Sequence, residues 1–264
     1  MYLLALVLLQ LLVAICSFWH PRFFAFWFLS ILYFVLWYWD GKEYTGERRW
    51  PWLQRGWLMA RLNPLRITWG KRHTGGKRVL FLMSPCQTPM PVFWAGLRIN
   101  AAVGNTTFLM PPIFFAIPLL RDVLMWCGAT TWQSNTEPQD AVLDLCNMGK
   151  CVCWCPPEAK QPNVAFYDFC KHNGIDIVPL IVTNEMARYS IWHPQPNSAT
   201  WQMQQWFAHR VGYPVPFVFY AHALASPQLH ILVGPTIQTH LYQSGEEIKE
   251  KYQQLGNEMI AIEI

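Results

Sequence analysis

The sequence predicts an α/β fold, with a mixed, largely parallel sheet and flanking helices, behind an N-terminal transmembrane helical hairpin. Three observations carry this expectation. The first forty residues hold two charge-free apolar runs separated by a three-residue break. Beyond Gly76, short apolar runs alternate with amphipathic stretches, the pattern of strands separated by helices. Only 14% of the 264 residues are charged and 53% are apolar, with fifteen tryptophans and sixteen phenylalanines. Ordinary soluble chains carry roughly 25% charged residues, so much of this surface is suited to lipid or a partner. Removing an anchor leaves about 220 residues, enough for one domain. The expected division is residues 1–40 as anchor, 41–78 as a basic aromatic membrane-interface segment and 79–264 as the α/β domain.

Met1 to Trp19 contains no charged side chain, and a helix rising about 1.5 Å per residue over that length just crosses a hydrocarbon core of about 30 Å. His20, Pro21 and Arg22 interrupt it, and a second charge-free run, Phe23 to Trp39, ends in Trp37, Tyr38 and Trp39, grouped like an interfacial belt. A cleaved signal peptide is the competing reading, but the start lacks Lys and Arg and no small-residue cleavage site precedes polar sequence. Between Asp40 and Arg78 ten basic residues face three acids, whereas the hairpin turn offers only Arg22. Positive-inside asymmetry then places the domain in the cytosol. Arg48, Arg49, Trp50, Trp52 and Trp57 mix cations with indoles, so guanidinium groups can meet lipid phosphates while the rings sit at headgroup depth. Nucleic acid is the rival partner for such a sequence; the adjoining hairpin favours membrane lipids, and no nucleic-acid partner is expected.

In the body, Val79 to Met83 reads as a buried strand ended by Pro85 and Pro89, and Asn105 to Met110 as a second strand. Pro118 to Trp126 reads as a helix with Leu119, Leu120, Val123 and Leu124 on one side. Thr136 to Gln139 has the form of a capping box, opening a helix whose apolar face is Val142, Leu145 and Met148. Cys151 to Cys155 is a strand, Val164 to Asn173 a helix stopped by Gly174, and Ile175 to Val182 a strand apolar enough to be buried on both faces. A proline-bearing loop at His193 to Asn197 leads to a helix at Thr200 to Arg210. Strands at Phe217 to Tyr220 and Leu229 to Val233 follow, and a helix at Glu246 to Glu258 closes the chain. Such alternation implies crossover connections.

The eight cysteines show no Cys-x-x-Cys pair and no disulfide framework, which suits a reducing compartment. Cys151, Cys153 and Cys155 alternate with Val152 and Trp154, placing three thiols on one face of a strand at about 7 Å spacing. Neighbours spaced this way converge poorly on a tetrahedral ion, so buried small residues are expected there and no metal.

Several residues in order resemble the type-2 diacylglycerol acyltransferase family, which includes the monoacylglycerol and wax-ester acyltransferases. They are Trp39-Asp40, Gly46-Glu47-Arg48-Arg49-Trp50, Arg121-Asp122 with Gly128, then Phe166, Gly174, Asp176, Val178-Pro179 and Glu185, and finally Val233-Gly234. The likeness runs over most of the chain and rests on collinearity. It implies an acyltransferase-like fold in the endoplasmic reticulum membrane or on lipid droplets. It also implies joining of fatty acyl groups from coenzyme A thioesters to glycerol hydroxyls, with acyl-CoA as co-substrate and no other cofactor.

The family's chemistry depends on His-Pro-His-Gly just after a strand, where an imidazole of near-neutral pKa takes the proton of the attacking hydroxyl. Here those positions read Ser84-Pro85-Cys86-Gln87. Neither serine nor glutamine is a base at pH 7, and a cysteine becomes one only if a neighbour lowers its pKa from about 8.5. Asn163 and Ala165 replace basic and glycine landmarks, Pro156-Pro157-Glu158 stands for a double glycine and acid, and Tyr220-Ala221-His222 for His-Gly-Arg. The framework is kept while the polar site residues change, which reads as loss of the ancestral catalysis. The expectation is a protein that binds lipid, acyl-CoA, acylglycerols or a partner, such as a related acyltransferase in a homo- or hetero-dimer. Two other readings compete: an active enzyme using Cys86, with His73 or His222 as base, and an interaction protein with no lipid ligand. Candidate site residues are Cys86 and Ser84 for catalysis, and Glu185, Glu158, Arg121 and His222 for substrate or lipid.

Overall fold

The computed structural model describes residues 28–29, 31–33, 40–47, 65–69, 78–84, 90–133, 136–156, 162–184, 189–191, 194–211, 218–220 and 229–263. Most of both charge-free runs, residues 1–27 and 34–39, lies outside these, as do Arg48, Arg49, Trp50, Trp52 and Trp57. Among the described residues no helix is long and apolar enough to cross a membrane.

The strands are β1 (Leu65–Trp69), β2 (Val79–Met83), β3 (Thr106–Leu109), β4 (Ala129–Thr130), β5 (Cys151–Trp154), β6 (Asp176–Thr183), β7 (Tyr189–Ile191), β8 (Val218–Tyr220) and β9 (Leu229–Val233). The helices are α1 (Met90–Val103), α2 (Pro112–Phe115), α3 (Leu120–Trp126), α4 (Pro138–Asn147), α5 (Val164–His172), α6 (Ala199–Val211) and α7 (Gly245–Glu263). Among the described residues, seven strands form one sheet in the order β1-β9-β6-β2-β5-β3-β4, and β7 pairs with β8 separately. The five strands from β6 to β4 are mutually parallel, β9 runs antiparallel to β6, and β1 is parallel to β9. The expected mixed, largely parallel sheet is therefore present.

Alternation along the central strands sorts the core into two layers. Val79, Phe81 and Met83 of β2 pack with Val92, Ala95 and Ile99 of α1 and with Leu124 and Met125 of α3. Leu80 and Leu82 face the other way, onto Val142 and Leu145 of α4, Phe166 and Cys170 of α5, and Ile248 of α7. Helices thus cover both faces, which is why β2 is buried at every residue. Cys153 and Cys155 share the first layer with Cys151 packed against it, while Val152 and Trp154 belong to the second, as the alternation requires.

Three sequence expectations are corrected, and one helix is added. Leu65–Trp69, placed in the membrane-interface segment, is the edge strand β1, paired residue for residue with β9. Its alternation of Arg66 and Thr68 with Ile67 and Trp69 is that of a strand with one face on the core. Met90–Val103, unassigned in the sequence, is the helix α1; at Gly96 Phe108 presses on it, since a Cβ there would lie 2.4 Å from its ring. The capping box at Thr136 does not form: α4 opens two residues later with Pro138 in its first turn, where no N–H is needed, and Thr136 bonds the carbonyl of Gln133 at 3.0 Å. The helix expected from Pro118 begins at Leu120, and its expected apolar side is split: Leu124 is buried, with Met125, Arg121 and Asp122, while Leu119, Leu120 and Val123 are exposed.

Candidate functional site

The chain leaves β2 toward α1 on one face of the sheet and leaves β5 toward α5 on the other. β2 and β5 are neighbours, so their C-terminal ends flank a topological switch point, where open α/β sheets place their ligand crevice. Ser84 follows β2 there, and Cys155-Pro156 follow β5. The two ends meet: the Cys155 thiol lies 3.5 Å from the Ser84 carbonyl and 3.7 Å from that of Pro156. The Ser84 N–H donates to Leu180 O at 2.8 Å, and its Oγ accepts from the Val182 N–H at 3.5 Å. Serine at this place extends the β2–β6 ladder by one residue before the chain turns away.

Of the sequence candidates, Ser84 is thus at the crevice. Cys86, Glu158, Glu185, His222 and the suggested base His73 lie outside the described residues. In sequence, Cys86 comes two residues after Ser84, Glu158 two after Pro156, and Glu185 one after Asn184, which holds φ 63° at the end of β6. The described residues that precede these three candidates therefore stand at the C-terminal ends of three adjacent parallel strands, β5, β2 and β6. Cys155 was read only as a small strand residue. Its place as the last of three alternating thiols, just before two prolines, is the signal that it ends a strand at the crevice.

His230, which sequence reasoning passed over, sits opposite Thr183 across β6 and β9 and bonds the Thr68 hydroxyl at 2.7 Å. It is two strands and two residues away from Ser84, about 12 Å by ladder spacing, too far to serve as its base directly.

Arg121 gathers a different group. Its Nη2 reaches Asp40 Oδ1 at 2.7 Å and Glu43 Oε2 at 2.5 Å, and its Nη1 lies 3.6 Å from Asp122. The side chain is 1% exposed. Burial works to lower its pKa, but the carboxylates of Asp40 and Glu43 overcome this and raise it, so the guanidinium stays charged. Tyr33 donates its hydroxyl to Asp122, Glu43 O accepts the Thr131 N–H at 3.0 Å, and Lys150 bonds Thr45 O. The cluster straps residues 40–47 onto α3 and β4.

Other landmarks also meet in space. Gly234, at the exit of β9, packs on Pro179 of β6: a Cβ there would lie 3.0 Å from the proline ring and 2.8 Å from Met259 Sδ. Pro179 lacks an N–H, and it falls between the end of the β6–β9 ladder and the Ile177–Ile237 bridge, where its carbonyl accepts from Gly234 at 2.9 Å. Asp176 accepts the Thr239 N–H at 3.3 Å, and Phe166 packs against Trp154 with centroids 5.3 Å apart. Asn163 caps α5 by accepting the Phe166 N–H at 3.0 Å.

No protein-family model matches the sequence, and no curated protein matches it. Among solved structures, the chain is similar to the 1-acyl-sn-glycerophosphate (LPA) acyltransferase PlsC from Thermotoga maritima. The identity is 9% and the TM-score 0.49, over 100% of this chain and 98% of that one.

Proposed function

We propose that the chain is a membrane-attached, acyltransferase-like protein of glycerolipid metabolism that has lost hydroxyl acylation and acts by holding lipid, acyl-CoA or a partner. The partner envisaged is a second copy or a related active acyltransferase. Attachment is through the apolar hairpin, in the endoplasmic reticulum membrane with the α/β domain on the cytosolic side, or on lipid droplets. One observation supports the reading above the others. The sequence that follows the central strand at the switch point reads Ser84-Pro85-Cys86-Gln87, where the resembled family carries His-Pro-His-Gly. The strands around Ser84 support the resemblance: Ser84 is in register with β6, and the landmark pairs Val178-Pro179 and Val233-Gly234 pack on each other. A retained framework with an altered motif is what loss of a base leaves behind.

The test is an acylation assay in microsomes lacking neutral-lipid acyltransferases, supplied with labelled oleoyl-CoA and mono- or diacylglycerol. The expected outcome is no product above background from folded, membrane-inserted chain, together with lipid recovered in the purified protein. Product that disappears in Cys86→Ala would overturn the reading and make Cys86 the reacting thiol. Product that survives Cys86→Ala would overturn it as well and put the base elsewhere. Neither product nor co-purifying lipid would favour an interaction protein with no lipid ligand.

A further inference from the structure

The short helix α3 (Leu120–Trp126) buries Leu124 and Met125 in the core together with the polar pair Arg121 and Asp122, and still leaves an apolar patch facing outward. Leu119, Leu120 and Val123 are exposed, with Ile117 exposed beside them. A helix facing water turns its charged residues outward, and soluble surfaces seldom gather large apolar side chains in one place. The backbone is strained to hold this arrangement. Leu119 has φ 66° and ψ −46°, a combination that a residue with a side chain rarely adopts. Its side chain is 71% exposed, so little packing in the described body offsets the strain.

The strained turn meets the segment that precedes the body. The Leu119 N–H donates to the Tyr33 hydroxyl at 3.3 Å, and that hydroxyl donates to Asp122. Tyr33 belongs to the second charge-free run, Phe23 to Trp39, and Phe28, Leu29 and Leu32 of the same run are exposed as well. The exposed face of α3 is therefore tied by hydrogen bonds to the chain read as anchor. A helix of seven residues is only about 10 Å long, far too short to cross a bilayer; it can only lie against one.

We infer that the face formed by Ile117, Leu119, Leu120 and Val123 lies in the acyl-chain region of a phospholipid bilayer, where Tyr33 of the second charge-free run meets it. The Asp40, Glu43 and Arg121 ion pairs seal the body behind it. This rests on the membrane attachment proposed above. Lipid is the occupant because the face is bonded to Tyr33, whose exposed neighbours Phe28, Leu29 and Leu32 belong to a sequence of seventeen residues without a charge, and a docked protein would need to match that run too.

The experiment uses the unmodified full chain in phosphatidylcholine vesicles, part of the lipid carrying a diazirine on its acyl chain. Floated vesicles are footprinted with hydroxyl radicals and, separately, irradiated. Leu241 is the internal reference, because it is 68% exposed and lies on a turn whose neighbours Ile237 and Tyr242 pack in the opposite layer. The expected result is oxidation of Leu119 several-fold below that of Leu241, with lipid adducts on residues 117–123 and none around Leu241. Floated chain in which both leucines oxidise equally would overturn the inference and leave attachment standing. Protection of Leu119 without lipid adducts, and lost at one chain per vesicle, would assign the face to a second copy and overturn it too. A chain that does not float would overturn both this inference and the attachment.

Discussion

Arg121 is the residue on which the described part of the molecule converges. A cation 1% exposed is tolerable only with its charge answered, and Asp40 and Glu43 answer it from a segment almost eighty positions earlier in the chain. The sequence offered Arg121 and Asp40 as separate landmarks of a family resemblance; that they pair could not be read from spacing, because the contact is between segments far apart in sequence. Removing the cation leaves carboxylates facing each other in a poorly hydrated pocket. Arg121→Met is expected to lower stability by about 3–5 kcal/mol, the cost of breaking a buried pair from one side. Adding Asp40→Asn and Glu43→Gln should restore a good part of this, because the stranded charges go with them. Thermal unfolding of the detergent-solubilised chain checks both, and a single variant as stable as the parent would show that the cluster contributes little.

At the scale of elements, what the sequence revealed and what it hid have separate physical causes. β2, β5 and β6 were legible because each is a short apolar run, and burial between two helix layers needs nothing more; β9 was legible from Leu229, Ile231 and Val233, which alternate onto one core face. α1 was not assigned from sequence; its Pro91 lies in the first turn, where a proline loses no bond, and its Gly96 admits Phe108. β1 was hidden because alternating cations and large apolar residues suit a membrane surface and an edge strand equally well. α3 was located, but of its expected apolar side only Leu124 is buried, since amphipathicity alone cannot say that Arg121 and Asp122 would be drawn inward by partners elsewhere in the chain. Leu119 gives a test at this scale. Glycine tolerates its backbone angles, and the side chain given up buries little, so Leu119→Gly is expected to stabilise the solubilised protein by about 1–2 kcal/mol. A fall in melting temperature would mean instead that the leucine packs where the structure shows it exposed.

Across the whole molecule, the sheet order was implied only as far as crossovers and parallel strands, while the switch point had to be seen, because it depends on which face each connection takes. The candidate residues were found in sequence by comparison with a family pattern, and the sheet shows that the strands preceding Cys86, Glu158 and Glu185 are neighbours. The same two-layer burial sets a property of the entire fold. Burial pushes the Cys127 thiol up to about 11 and Cys146 up to about 12, and raises Cys153 and Cys170 further. In the unfolded chain these thiols ionise near pH 8.5. Above that value the unfolded state sheds protons that the folded state keeps, so the stabilisation is complete below about pH 8.5 and is lost as pH rises toward the folded values. Each thiol contributes a fall of about 1.4 kcal/mol per pH unit in that window. Melting temperatures taken in reducing buffer from pH 7 to 10 should therefore be level to about pH 8.5 and drop steeply beyond it, with a shallower drop in Cys146→Ala. A level profile through pH 10 would mean that these thiols reach water, and that the two core layers are less closed than the packing of β5 between α1 and α4 requires.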